Sequence, residues 1–160
     1  MITQEKLKEL LHYDPDTGVF TWRVKTSYRV EIGQIAGTLR HGYIGISIKR
    51  KKYFAHRLAW LYVYGNFPDK DVDHINQVKS DNRISNLRLA TRRQNCFNKG
   101  KNKNNTSGYK GVYFDKRLSR WTAGIFIDGK RRHLGVFDDP KKASDAYQLA
   151  AKEYVGEFAG

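Results

Sequence analysis

The sequence is poor in cysteine, in acidic residues and in long apolar stretches. The single cysteine, Cys96, cannot form an internal disulfide or a cysteine-rich zinc site. No apolar stretch approaches the roughly 20 residues that span a bilayer. The opening MITQEKLKELL lacks the basic-then-apolar order of a signal peptide. We therefore expect an intracellular protein that makes no membrane contact.

Basic residues dominate the charge balance. The 160 residues include 30 Lys and Arg against 16 Asp and Glu, which gives a net charge of +14. Lysine and arginine bind phosphate backbones because they release condensed counterions. The excess therefore favours a nucleic-acid partner over a merely soluble basic surface. Hydrophobic residues make up 39% of the chain, which suffices for one domain or two small ones.

Turn and periodicity signals predict the elements of the N-terminal part. They are a helix over 3–11, strands over 18–22 and 42–48, a basic hairpin over 49–54, a helix over 56–65 and a strand over 86–91. Thr91 can cap a further helix that runs through RRQNCFNKG.

A change of composition separates the two parts of the chain. Residues 99–108 contain no apolar side chain, so they predict a flexible, basic linker between domains over 1–98 and 109–160. In the second domain three strands precede a helix that begins at Pro140, and an Asp-Gly dipeptide at 128–129 predicts a tight hairpin. The expected fold class is α+β, with this three-stranded antiparallel sheet packed on one helix.

Alternation along these three strands divides their side chains between two faces. The helix side is expected to carry Trp121, Ala123, Ile125, Leu134 and Val136. The open face is expected to carry Arg120, Thr122, Arg131 and His133. Basic and polar side chains on an uncovered sheet suit contacts with a nucleic acid.

The stretch DHINQVKSDNRISNLRLATRRQN concentrates the residue types that a single-metal nuclease needs. Asp73 and His74 are adjacent, and Asn86 and Asn95 follow them. A carboxylate and an amide oxygen can hold a hard divalent ion. A neutral imidazole can accept a proton from water near pH 7, and a second amide can orient that imidazole.

This region resembles the HNH endonuclease motif, in the variant with asparagine in place of the last histidine. The similarity extends from about residue 42 to residue 98, through AHRLAW, GNFP, VDHI, DNRISNLR and ATRRQN. It implies a nuclease domain with a ββα-metal core over about 70–98, similar to the phage and intron-encoded homing endonucleases.

The resemblance implies a role for each motif residue. His74 would be the general base that activates water, and Asn86 would orient its ring. Asp73 and Asn95 would hold one divalent ion, for which magnesium is expected and manganese could substitute, because amide oxygen favours hard ions over zinc. Cleavage by similar enzymes leaves 5′-phosphate and 3′-hydroxyl ends.

Other polar residues near the motif allow more than one interpretation. Four arginines surround it: Arg83, Arg88, Arg92 and Arg93. They suit phosphate contacts, although a solvated surface would explain them too. Asn82 is expected to shape a loop rather than to bind metal. His56 begins an apolar helix, where a buried, hydrogen-bonded histidine is favoured over a catalytic one.

The C-terminal segment over about 107–158 resembles the Apetala-type DNA-binding domain of plant ethylene-response factors. The matching features are YKGV, an aromatic residue before alanine in the middle strand, LGVF and the helix DAYQLAA. Such domains lay their sheet in the DNA major groove. The residues expected to contact DNA are Lys110, Tyr113, Arg120, Thr122, Arg131 and His133.

The same segment departs from the Apetala pattern at several contact positions. These are Tyr113, Asp115 and Phe126, which stand where the family has arginine, and His133, which stands at a tryptophan position. The recognition sequence of the plant proteins therefore cannot be transferred.

Together these features predict a metal-dependent endonuclease that acts on double-stranded DNA and is targeted by its C-terminal domain. One active site per monomer favours nicking of one strand, while monomer and dimer both stay open. A free-standing phage protein that acts in the host cell fits this pairing. The alternatives are a non-catalytic transcription regulator with a silent HNH fold and, less favoured, a binder of structured RNA. Whether residues 1–41 contact DNA also stays open.

Overall fold

The computed structural model describes residues 1–102 and 104–159, so residue 103 of the predicted linker and residue 160 lie outside it. The chain divides into two compact units, Met1–Arg92 and Arg93–Gly160. Both combine helices with small antiparallel sheets, as the predicted mixed fold class requires. Within the described residues, no helix has the length and apolar character needed to cross a membrane.

The first unit contains three small sheets and two helices. Its elements are α1 Gln4–Leu10, β1 Leu11–Tyr13, β2 Phe20–Trp22, β3 Thr38–Arg40, β4 Tyr43–Ile48, β5 Lys51–Phe54, α2 Ala55–Tyr64, β6 Asp71–His74 and β7 Leu87–Ala90. The strands pair as β1-β2, β3-β4-β5 and β6-β7. The sequence pattern misses β1 and β3, each of which has only three residues.

One hydrophobic core holds the first unit together. Leu7, Phe20, Ile46 and Leu58 are fully buried in it. Helix α1 starts where the sequence predicts, because the Thr3 side chain accepts a hydrogen bond from the Lys6 backbone. The packing of α1, α2 and β4 on this core leaves the β6–β7 hairpin in a defined position beside them.

The second unit is a sheet packed on a helix. Its elements are α3 Arg92–Asn98, β8 Val112–Asp115, β9 Arg120–Ile127, β10 Lys130–Phe137 and α4 Pro140–Val155. The first residue of α3, Arg92, belongs to the first unit. The sheet order is β10-β9-β8. Asp139 caps α4 by accepting a hydrogen bond from the Lys141 backbone. Ala143 and Ala151 of α4 are buried, and their small side chains let the helix lie close to the sheet.

A bulge in β10 changes one predicted face. His133 pairs with Gly124 and Gly135 with Ala123, so one extra residue is inserted between these pairs. Val136 consequently lies opposite Thr122 on the open face, and the prediction that it faces the helix is wrong. Leu134 packs in the core as predicted.

The segment before this sheet is also tied to the second unit. Phe97 of α3 packs against Tyr154, with ring centroids 5.6 Å apart. In the predicted linker, the Ser107 hydroxyl donates to the Val112 carbonyl, and the Gly108 backbone donates to the Asn105 side chain. Residues 105–108 therefore form a hydrogen-bonded turn, whereas composition alone predicts a flexible chain.

Candidate active site

The β6–β7 hairpin places Asp73 and His74 at the end of a strand. The two residues pair with Arg88 and Leu87 of the neighbouring strand. Both side chains are buried, with only 5% and 4% of their surface exposed. A carboxylate and an imidazole buried at consecutive positions of a strand end are unusual groups for a structural core.

A hydrogen-bonded loop closes over this hairpin between residues 75 and 86. The Asn86 side chain accepts from the Asn76 backbone at 3.0 Å and donates to the Asp81 carbonyl at 2.8 Å. The Asn76 side chain donates to the Asp81 carboxylate at 2.7 Å. Hydrogen bonds from Arg83 lower the pKa of Asp81 to about 2. The loop is therefore fixed at both of its ends.

The contact that orients His74 comes from Asn82. Its side-chain oxygen lies 3.3 Å from His74 Nε2, while its amide nitrogen donates to the Ser80 carbonyl at 3.1 Å. The Asn82 backbone carbonyl accepts from the buried Tyr13 hydroxyl at 2.7 Å. Because the amide nitrogen is directed to Ser80, the oxygen faces the ring and Nε2 must donate. In this tautomer the Nδ1 atom of His74 carries no proton.

This arrangement corrects the predicted role of Asn86. Both polar atoms of its side chain bond the loop, and the imidazole contact belongs to Asn82. The prediction that Asn82 shapes the loop holds, but Asn82 also touches the histidine. Sequence reasoning misses this second role because Asn82 and Asn86 flank the same turn, and only the folded loop decides which one faces the ring.

Aromatic rings surround His74 on its other side. The Tyr43 and His56 rings lie 6.1 Å and 5.1 Å from the His74 ring, and Phe54 stacks on His56 at 5.4 Å. Burial is the main cause that lowers the pKa of His74 below its ordinary value, against opposing effects of Asn82 and Asp73. The ring is therefore neutral near pH 7, as a general base must be.

His56 is buried and also contacts the candidate base, whereas the sequence offers a structural role and a catalytic role as alternatives. It is 7% exposed, and its Nδ1 atom has no hydrogen-bond partner. Burial and the neighbouring His74 lower its pKa to about 3, so it stays neutral. The structure thus places a buried histidine against the candidate base, without the expected hydrogen bond at Nδ1.

Asp73 forms a buried ion pair. Its Oδ2 atom accepts from Arg88 Nε at 3.0 Å, and the two side chains are 6% and 13% exposed. The guanidinium of Arg88 therefore balances the charge of a buried carboxylate, and its contact with a phosphate stays a prediction. The opposite placement of the two residues across the β6–β7 ladder explains the contact.

The donor atoms of the predicted metal ligands suit a hard ion. Asp73 offers a carboxylate, and Asn95, which lies half-buried on α3 in the second unit, offers an amide oxygen. Among the described residues, no three His, Cys, Asp or Glu side chains form a group that could hold an ion by themselves. The predicted ligand pair of Asp73 and Asn95 contains one asparagine, and the magnesium site stays a prediction.

The remaining arginines near the motif differ in their surroundings. Arg83 pairs with Asp81 at 2.5 Å within the closed loop. Arg93 pairs with Asp128 at 3.0 Å and lies over the Tyr154 ring at 3.9 Å. Arg92 is exposed. Arg83 and Arg93 therefore have internal partners that a phosphate would have to replace or share.

The open face of the C-terminal sheet carries three of the predicted DNA contacts in accessible form. Arg131 lies over the Tyr113 ring at 4.6 Å, and His133 beside them is exposed. Arg120 is also exposed but pairs with Asp138 at 2.5 Å.

Two predicted DNA contacts are engaged inside the fold instead. Lys110 is half-buried and donates to the Phe97 carbonyl, and burial lowers its pKa. Thr122 lies on the open face but is only 2% exposed, and its hydroxyl has no hydrogen-bond partner. Thr122 therefore presents almost no surface to DNA in this conformation, whereas Lys110 stays partly exposed, and both DNA contacts stay predictions.

Comparison with known proteins supports the site. A family model described as HNH endonuclease matches residues 53–96, a range that includes Asp73, His74, Asn86 and Asn95. Plant proteins match a shorter part of the chain; one of them is an AP2-like ethylene-responsive transcription factor, TOE2, of Arabidopsis thaliana, which is 41% identical over 51 residues, 32% of this chain and 10% of its own length. No solved structure matches the chain.

Two viral relatives match most of their own length. An uncharacterised HNH endonuclease, L560, of Acanthamoeba polyphaga mimivirus is 33% identical over 142 residues, which cover 86% of this chain and 68% of the relative. Protein 3.8 of Escherichia phage T7 is 31% identical over 105 residues, which cover 65% of this chain and 86% of that protein. Together with the geometry of Asp73 and His74, these matches show that the chain belongs to the HNH endonuclease family.

Proposed function

We propose that this protein is a metal-dependent, homing-type endonuclease that nicks one strand of duplex DNA. The observation that carries the proposal is the buried pair of Asp73 and His74 at the end of β6, inside the matched HNH region. A net charge of +14 fits a duplex DNA substrate. We further propose the ββα-metal arrangement for residues 70–98, on the strength of the sequence resemblance.

His74 would act as the general base. Its Nδ1 atom would accept a proton from water, and the resulting hydroxide would attack phosphorus while the bond to the 3′-oxygen breaks. Asn82 supports this role because it holds the ring in one plane and one tautomer. The products would be a 5′-phosphate and a 3′-hydroxyl, as the resemblance to similar enzymes implies.

Asp73 and Asn95 would hold one divalent ion, with magnesium expected and manganese as a substitute. When bound, the ion would stabilise negative charge on the phosphorane and on the leaving oxygen. Arg88 supports this assignment because it keeps the Asp73 carboxylate in place through a hydrogen bond at 3.0 Å. The ligand role of Asn95 rests on the sequence motif alone.

The C-terminal segment over 109–160 would target the nuclease to its site. The support comes from an open sheet face with Tyr113, Arg131 and His133 accessible, and from partial matches to plant AP2-like proteins. Those matches also favour a second candidate function, a non-catalytic DNA-binding regulator with a silent HNH fold. The buried, oriented histidine argues against the regulator, since a silent site would not need it.

The test is nicking of supercoiled DNA that carries pooled phage and host fragments. We would compare the wild type, His74→Ala and the control His12→Ala, which changes an exposed histidine of β1, in magnesium, in manganese and in EDTA. Nicking by the wild type and His12→Ala, but not by His74→Ala or in EDTA, is expected. Equal nicking by all three proteins would refute the assignment of the base. Tight duplex binding without any nicking would favour the regulator.

A further inference from the structure

The segment between the first strands and the catalytic hairpin has charge of one sign only. From residue 32 to residue 68 there is no aspartate or glutamate. The same segment carries six basic residues: Arg40, Lys49, Arg50, Lys51, Lys52 and Arg57. The β3-β4-β5 sheet lies entirely inside it. A surface formed by this segment is therefore positively charged, because the segment has no acidic residue that could balance its lysines and arginines.

Strand register decides which side chains of this sheet face outward. Ile46 and Ile48 of β4 are buried, so the alternate positions of β4 and their cross-strand partners form the other face. This outward face consists of Thr38 and Arg40 on β3, Tyr43, Gly45 and Ser47 on β4, and Lys52 and Phe54 on β5. All of these residues are exposed or half-exposed. The face is polar or basic over most of its length, and none of its side chains is acidic.

One end of the outward face reaches the candidate base. The Tyr43 ring contacts the His74 ring at 6.1 Å, and Phe54 at the end of β5 lies 5.4 Å from Tyr43. Lys79, from the loop that closes the site, lies over the Tyr43 ring at 4.9 Å. The exposed sheet face is therefore in direct contact, through Tyr43, with the buried His74 ring within the first unit.

The other end of the face is a strained, basic hairpin tip. Lys49 and Arg50 both have positive φ, 47° and 65°, which is the conformation of a type I′ turn. Asparagine and glycine adopt this turn readily, whereas lysine and arginine rarely do. The tip thus keeps two cations at a position where uncharged residues would fold better, and such strain points to a function.

We propose that the outward face of the β3-β4-β5 sheet is the surface on which duplex DNA lies beside the scissile bond, with Lys49 and Arg50 binding its phosphates. This inference rests on the proposed nuclease function and names the substrate-holding surface of the same site. From Tyr43 to the tip, the strand covers about 17–20 Å at roughly 3.3 Å per residue. At about 3.4 Å per base pair, the tip would lie about five base pairs from the cut.

The test is a double variant, Lys49→Asn with Arg50→Gly, measured for duplex binding in EDTA and for thermal unfolding. An Asn-Gly turn should raise the melting temperature, while the loss of two phosphate contacts should weaken DNA binding. The slope of log affinity against log salt should fall by about 1.8, which corresponds to up to about 60-fold at 0.1 M salt. Ser47→Glu, which places an anion in the middle of the face, should weaken binding as well.

The matched control is Lys141→Gln with Lys142→Gln, which removes the same charge from the exposed first turn of α4. If both double variants weaken binding equally, the effect is general charge loss and the proposal is overturned. The proposal would also be overturned if the tip variant bound DNA with the affinity and the salt slope of the wild type. That result would leave the proposed nuclease function standing if the wild type nicks DNA. If the tip variant is more stable than the wild type and binds DNA more weakly than the Lys141→Gln, Lys142→Gln variant does, the proposed DNA-binding surface is supported. This outcome does not depend on whether the wild type nicks DNA.

Discussion

Removing one partner of the buried ion pair between Asp73 and Arg88 should cost several kcal/mol of stability. Its two side chains are 6% and 13% exposed, and Nε lies 3.0 Å from Oδ2. Removing one partner of such a pair leaves an uncompensated buried charge, which costs about 3–5 kcal/mol. We therefore expect Arg88→Leu to lower the free energy of unfolding by that amount. Replacing both partners removes both charges and should cost much less than the sum.

A double-mutant cycle measures this coupling directly. Urea unfolding at pH 7 of the wild type, Arg88→Leu, Asp73→Asn and the double variant should give a coupling energy of about 2–3 kcal/mol. The control is Arg83→Leu, which breaks the ion pair between Arg83 and Asp81. Because the Arg83 side chain is 48% exposed, this change should lower the free energy of unfolding by no more than about 1 kcal/mol. Additivity of the Asp73 and Arg88 changes within about 0.5 kcal/mol would refute the reasoning.

Four further predictions concern three residues. His56→Phe should raise the free energy of unfolding by about 1–3 kcal/mol, because Nδ1 is buried without a partner; a lower value in urea unfolding would contradict this. Since the folded pKa of His56 is lowered to about 3, wild-type stability should fall as pH drops from about 6.5 towards that value, and less steeply in His56→Phe. Asn82→Ala should lower kcat about 100-fold with little change in KM, because it frees the His74 ring, and unchanged kcat would exclude that role. Gly111→Ala should disrupt the second unit, since its Cβ would lie 2.1 Å from the Tyr147 ring at φ +71°; wild-type thermal unfolding would contradict this.

Residue spacing was sufficient to identify the nuclease motif and its family. The run from AHRLAW to ATRRQN predicts the HNH family, and the comparisons confirm it. Capping and turn signals also locate helices well: α1 begins after Thr3, α2 ends before Gly65 with φ 84°, and α4 begins at Pro140. These signals are local, because a cap or a glycine acts on the residues beside it in the chain.

Contacts between distant residues could not be read from the same patterns. The bulge in β10 moves Val136 to the open face, since the register of a strand depends on its partner. Arg88 and Lys110 carry the charge expected of DNA contacts, but folding engages both internally. A basic side chain is equally suited to a phosphate, a carboxylate or a carbonyl, and its neighbours in space decide which one it meets.

The sequence by itself determined the chemistry available to this protein: a carboxylate beside an imidazole, amides at set spacings, and a large excess of positive charge. Only the tertiary structure decided that Asn82 rather than Asn86 faces His74, and that Tyr43 joins the β3-β4-β5 sheet to His74. The physical reason is that residue types follow from the chain alone. Distances of 3–6 Å between side chains far apart in sequence exist only once the core has packed.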